Sequence, residues 1–201
     1  MERLYGAGFT REGFIVDQAK LTGVPYGRRT SDYNGCGWIA VYNFLRVHGI
    51  DAPVPALTRR MARHSLLRAR LGTSPLRVKR MLRRFGFPTR FRLCKRGEPA
   101  PLAGAESGVV LYRHATGWHF VAFRQTDEPG KWHFYNALPG NEAHRETMEA
   151  FLAKNAKRPY ALLFVFDGRQ TACAAREAGL TRPLAEGAAE GAPPAADGET
   201  V

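Results

Sequence analysis

Cys36 stands between two glycines in Asn34-Gly35-Cys36-Gly37-Trp38, where an apolar run with helical spacing begins. The first turn of a helix offers unpaired N–H groups and a partial positive charge, which eases loss of a thiol proton. Two roles are open to such a cysteine: a small packing residue, or a nucleophile. A nucleophile needs a base, and the base needs an orienting group. Of six histidines, His119 in Gly-Trp-His-Phe-Val-Ala-Phe is the candidate base, and Asn136 follows on the next strand-like stretch. Between them, Thr126 to Lys131 reads as a hairpin turn that pairs those two residues, and therefore sets Val121 opposite Asn136 and His119 opposite Leu138. Side chains alternate along a strand, so this register places His119 and Asn136 on one face as diagonal neighbours. The Asn136 side-chain carbonyl then accepts a hydrogen bond from the imidazole and holds its tautomer. A slip of one residue would separate them. His133 points to the opposite face in this register and ranks second as base. His114 reads as a rim residue, and His48, His64 and His144 as ordinary structural histidines.

The elements that must carry these side chains are legible in outline. A buried helix is expected from about Gly35 to His48, ended by Gly49 as a left-handed cap. A short helix follows Pro55. The stretch Thr73 to Gly86 is the clearest helix: Ser74 caps it, Pro75 fits its first turn, and Leu76, Met81, Leu82 and Phe85 form its apolar side. Beyond it come aromatic and β-branched stretches that read as strands: Phe87–Leu93, Ser107–His114, Gly117–Gln125, Lys131–Leu138 and Pro159–Phe166. A short amphipathic helix, Arg145–Asn155, precedes the last of them. Helices first and an antiparallel sheet second make an α+β domain. Residues 1–30 read as a lead-in, 31–167 as the domain, and 168–201 as an Ala/Gly/Glu/Pro tail too poor in apolar surface to order.

Composition narrows the function classes. The chain has 201 residues, three widely spaced cysteines and a formal net charge of +12. The cysteines at 36, 94 and 173 form neither a disulfide framework nor a zinc pattern, so reduced thiols and a cytoplasmic location are expected. Cys94 reads as an unreactive strand residue, and Cys173 falls near the tail with no base beside it. No apolar run is long enough for a bilayer span, and the first residues lack the apolar core of a secretion signal. From Arg59 to Arg96 the sequence carries many arginines and lysines and no acidic residue. That block is either a solvated helix face or a surface that attracts an acidic partner. Nucleic acid is the weaker candidate, because no recognised nucleic-acid motif accompanies the charge. No metal-ligand pattern and no cofactor motif is present.

A cysteine at a helix start, followed by histidine and asparagine on successive strands, resembles the papain-like cysteine peptidases. The resemblance is more specific to the bacteriocin-processing, double-glycine leader peptidases. Its parts are "CGWIAVYNFL" at 36–45, "GTSPLRVKRMLRRFGF" at 72–87, "HFVAF" at 119–123, "YNALPGNEAHRETMEAFLAKN" at 135–155, and "ALLFVF" at 161–166. It implies a papain-like fold, with a helical half carrying the nucleophile packed on an antiparallel sheet. It also implies a Cys36–His119–Asn136 triad, a peptide or protein substrate, and no cofactor. In that setting Cys36 would be a thiolate paired with protonated His119, and Trp38 and Trp118 would wall the cleft. The family places a glutamine six residues before the cysteine as an oxyanion donor; Thr30 stands there, and Asn34 is the substitute nearest the cysteine. Without a donor the same fold would serve as a non-catalytic module that uses its arginine-rich helices to bind an acidic partner.

Overall fold

The structure, a computed structural model, describes residues 8–63, 72–115, 117–137, 144–168 and 182–183. The strands are β1 (Pro25–Tyr26), β2 (Arg29–Thr30), β3 (Ile50–Asp51), β4 (Arg90–Lys95), β5 (Ser107–Arg113), β6 (Trp118–Gln125), β7 (Trp132–Tyr135), β8 (His144–Glu146), β9 (Tyr160–Phe166) and β10 (Arg182–Pro183). The helices are α1 (Ser31–Asn34), α2 (Cys36–Val47), α3 (Val54–Arg63), α4 (Pro75–Arg84) and α5 (Met148–Asn155). Six strands form one antiparallel sheet in the order β4-β9-β5-β6-β7-β8. The fold is α+β.

Both faces of that sheet are covered, which explains why its central strands read as nearly continuous apolar runs rather than as alternating ones. Val109, Leu111, Phe120, Ala122, Phe164 and Phe166 face one way, into a core shared with α2, α3 and α4. Their neighbours Val110, Tyr112, Val121, Phe123, Leu163 and Val165 face the other way, onto Met148, Phe151 and Leu152 of α5. Helix α2 contributes its whole central stretch, from Gly37 to Leu45, to the buried interior. A helix apolar all round belongs in the interior, where each large side chain removed from water contributes about 1.5–3 kcal/mol.

The α4 cap follows the sequence, whereas the helix expected over Arg145–Asn155 starts later, behind β8. Ser74 accepts from the Arg77 N–H at 3.2 Å, Pro75 opens α4, and Thr147 caps α5 by accepting from Ala150 N–H at 3.2 Å. A further expectation is corrected. Leu76 is exposed, and Val78 takes its place in the core beside Met81, Leu82 and Phe85, because Leu76 lies about half a helical turn round from those three. Residues of the expected lead-in pack into the same core as the domain. Ile15, Leu21, Val24 and Tyr26 are buried in the main core, and the Asn43 side chain of α2 clamps Ile15 by accepting from its N–H at 2.8 Å and donating to its carbonyl at 2.7 Å. Nearly all of the expected tail, like His64 and Cys173, lies outside the described residues; Arg182 and Pro183 pair antiparallel with Asp51 and Ile50. Among the described residues no helix is long and apolar enough to cross a membrane.

Candidate active site

The glycines around Cys36 are there because neighbours come too close for a side chain. A Cβ on Gly35 would lie 2.3 Å from the Ser31 carbonyl oxygen, and one on Gly37 would lie 2.3 Å from the Thr73 Cβ. Contacts that short do not occur between real atoms, so both positions demand glycine. Gly35 joins α1 to α2 almost without a break: its N–H donates to the Ser31 carbonyl, and its own carbonyl accepts from Ile39. Trp38 locks this elbow. Its indole N–H donates to the Ser31 hydroxyl at 3.0 Å, and the ring is fully buried. Trp38 is therefore a core residue that positions the start of α2, and not a wall of the cleft. Trp118 does line the cleft, 46% exposed, with its ring 6.2 Å from that of Tyr160.

On the facing sheet, the β6–β7 register is the one expected. Gln125 pairs with Trp132, Arg124 with His133, Phe123 with Phe134 and Ala122 with Tyr135, and Thr126 N–H donates to the Lys131 carbonyl. The ladder then stops. Asn136 adopts φ +60°, a left-handed conformation that Asn tolerates better than other residues with a Cβ. The chain turns away from β6, so the anticipated Val121–Asn136 pair does not form; Leu138 lies outside the described residues. The edge of β6 that β7 vacates is where Cys36 sits. Its sulfur is 4.0 Å from the Trp118 carbonyl oxygen, so the thiol lies against the peptide group that precedes His119.

The same turn corrects the expected role of Asn136. His119 Nε2 bonds the main-chain carbonyl of Asn136 at 2.8 Å, not its side chain. A carbonyl only accepts, so Nε2 carries the proton and Nδ1 keeps its lone pair. The Asn136 side chain instead pairs with Gln18: its oxygen accepts from the Gln18 main-chain N–H at 3.0 Å, and its amide donates to the Gln18 side-chain oxygen at 3.3 Å. Gln18 in turn donates its side-chain N–H to the Asp32 carbonyl at 2.9 Å. A short 3₁₀ turn, Gln18–Lys20, capped by Asp17, holds it there.

A cleft of about 540 Å³ gathers these groups: Cys36, His119, Asn136, Gln18, Asn34 and Trp118 all line it, with Asp32, Thr73 and His114. Thr30 is exposed and outside it. His133 faces Tyr135, rings 4.4 Å apart, and takes no part. Gln18 and Asp32 are the cleft residues that sequence reasoning missed. Gln18 sits eighteen positions before the cysteine, and its one local signal is the Asp17 cap that precedes it. Tyr112, the cross-strand partner of His119, lies on the same face of the sheet and packs edge-on to the imidazole at 5.9 Å.

Burial sets the protonation states. It raises the Cys36 thiol, against the N–H groups of Phe120, Gly37 and Cys36 itself, which pull it down. It lowers His119, against the Asn136 carbonyl, which favours the charged ring; nearby His114 lowers it further. Both shifts favour the uncharged thiol and imidazole over the thiolate–imidazolium pair expected from the sequence. Among the described residues no group of three or more His, Cys, Asp or Glu side chains converges as a metal site would. Cys94 is buried and unpaired.

The likeness in solved structures is to a peptidase domain. The chain resembles the peptidase domain of Streptococcus ComA, a bifunctional ABC transporter involved in a quorum-sensing pathway, at 14% identity and a TM-score of 0.45, over 66% of this chain and 92% of that one. No protein-family profile and no curated protein sequence matches the chain. The chemistry of the cleft accordingly rests on its own residues.

Proposed function

We propose that the protein is a cysteine peptidase-like hydrolase acting on a peptide or isopeptide bond through a thioester. The observation that carries this is the His119 Nε2 bond to the Asn136 carbonyl, which leaves Nδ1 as the basic nitrogen in a cleft shared with a thiol at a helix start. In the reaction, His119 Nδ1 takes the Cys36 proton as sulfur attacks the carbonyl carbon. N–H groups at the start of α2 stabilise the tetrahedral oxyanion, as oxyanion donors must. The Gln18 amide fits the donor role that the family gives to a glutamine, despite its different spacing, and Asn34 is the second amide in reach of the cleft. As the intermediate collapses, the C–N bond breaks and His119 returns its proton to the leaving amine. Water then adds to the thioester, its proton again passing to Nδ1, and releases the acid and the thiol. An amine in place of that water would give acyl transfer.

The test is alkylation by iodoacetamide, followed residue by residue by mass spectrometry. At pH 8, Cys36 reacts at least tenfold faster than Cys94, and His119→Ala removes that advantage. Equal rates at both cysteines, unchanged by His119→Ala, would overturn the proposal.

A further inference from the structure

The arginine block does more than coat a helix. Arg59, Arg60 and Arg63 of α3 and Arg77, Arg80 and Arg84 of α4 line one concave pocket of about 600 Å³, floored by Ala56 and Met81. The spacing explains the convergence: positions three, four and seven apart lie on one helix face, and the two faces turn toward each other. Among the described residues, none of these six guanidinium groups is in an ion pair. The segment between the two helices cannot neutralise them, because no acid occurs from Arg59 to Arg96.

Two of the six each hold one buried nitrogen without an acceptor among the described residues. Arg77 is only 8% exposed. One of its terminal nitrogens donates to the Arg60 main-chain carbonyl, while its Nε, and Nη1 of Arg60, find no partner among the described residues. A buried N–H without an acceptor is costly, and so is crowding of like charges. Burial together with the charges of Arg84 and Arg63 accordingly pulls Arg60 below the ordinary arginine range. An anion in the pocket would relieve both costs.

We infer that this pocket binds a compact ligand carrying several phosphate groups. Guanidinium forks pair with phosphate oxygens two at a time, so six converging forks suit closely spaced phosphates better than a single anion. A stretched acidic peptide spaces its carboxylates along a strand and matches the concavity poorly. The pocket shares no lining residue with the Cys36 cleft, so the inference stands apart from the peptidase proposal.

The experiment is calorimetric titration of the full chain with inorganic tripolyphosphate, ATP and AMP, at constant ionic strength. Saturable binding at one site is expected for tripolyphosphate. Equal binding of ATP would point to a nucleotide source, and loss of binding with ATP to a free polyphosphate. AMP binds at least tenfold more weakly than tripolyphosphate. The exposed pair Arg63→Gln with Arg80→Gln weakens tripolyphosphate at least tenfold, and Lys154→Gln, on α5, leaves it unchanged. Arg77→Met, which keeps the buried stem, also weakens it; because Arg77 is buried, the exposed pair decides if that variant unfolds. The inference fails if sodium sulfate matches tripolyphosphate, if Lys154→Gln weakens binding as much as the exposed pair does, or if only a DNA oligonucleotide binds.

Discussion

Asn136 holds His119 through its main-chain carbonyl and spends its side chain on Gln18. Asparagine is useful here for two separate reasons: it tolerates the left-handed backbone that aims the carbonyl, and its amide fastens the turn to the residues before α1. The two contributions are separable by mutation.

Asn136→Gly keeps the positive φ and the carbonyl but loses the side-chain pair, so the Cys36 alkylation rate should fall by no more than about tenfold. Asn136→Val resists that backbone conformation and should lose about 1–2 kcal/mol of stability along with His119-dependent reactivity. Urea midpoints and alkylation rates measure both. Equal damage from the two variants would return the orienting role to the side chain.

Gln18→Ala removes the side-chain bonds to Asn136 and Asp32 and the proposed oxyanion donor, while the main-chain N–H bond to Asn136 remains. With a cleavable peptide ester as substrate, kcat should fall on the order of a hundredfold while KM changes little. A proportional rise in KM at constant kcat would instead make Gln18 a substrate-binding residue.

A raised thiol and a lowered imidazole fix the direction of the pH dependence. Below neutrality Cys36 keeps its proton, so alkylation should be slow at pH 5 and climb through pH 9, approaching tenfold per unit. A flat, fast rate from pH 5 to 7 would mean that a thiolate–imidazolium pair exists after all.

His48 carries a stability signature unrelated to the cleft. Its ring lies 4.7 Å from that of Phe44, 4.6 Å from Phe87 and 5.1 Å from Phe166, with Nε2 2.8 Å from the Ser107 hydroxyl. Burial among these rings lowers its pKa to about 4. The unfolded chain therefore binds the proton first, near pH 6.5. Stability attributable to His48 is full above that pH and is lost as pH falls toward 4, on the order of 3 kcal/mol. His48→Phe, which cannot charge, should flatten that part of the stability curve in urea titrations between pH 7 and 4; an unchanged slope would refute the assignment.

Local physics was written plainly in the chain. The Ser74 cap, the buried α2 and the β6–β7 register all follow from periodicity, capping chemistry and turn length, which act within about a dozen residues. The Gly-Cys-Gly signal was visible too, although its cause, the approach of Ser31 and Thr73, was not. What short-range rules could not supply was any contact across long separations. Gln18 reaches Asn136 over 118 residues, and no periodicity links them.

By itself, then, the sequence determined which residues could do chemistry and which elements would carry them, because residue type and local spacing set both. The tertiary structure alone decided that Trp38 is an anchor and Trp118 a wall. It alone made the partner of His119 a carbonyl, and made six arginines face one pocket. Those outcomes depend on where a strand is abandoned and how two helix faces are rotated, and both are settled by packing of the whole core rather than by any local run of residues.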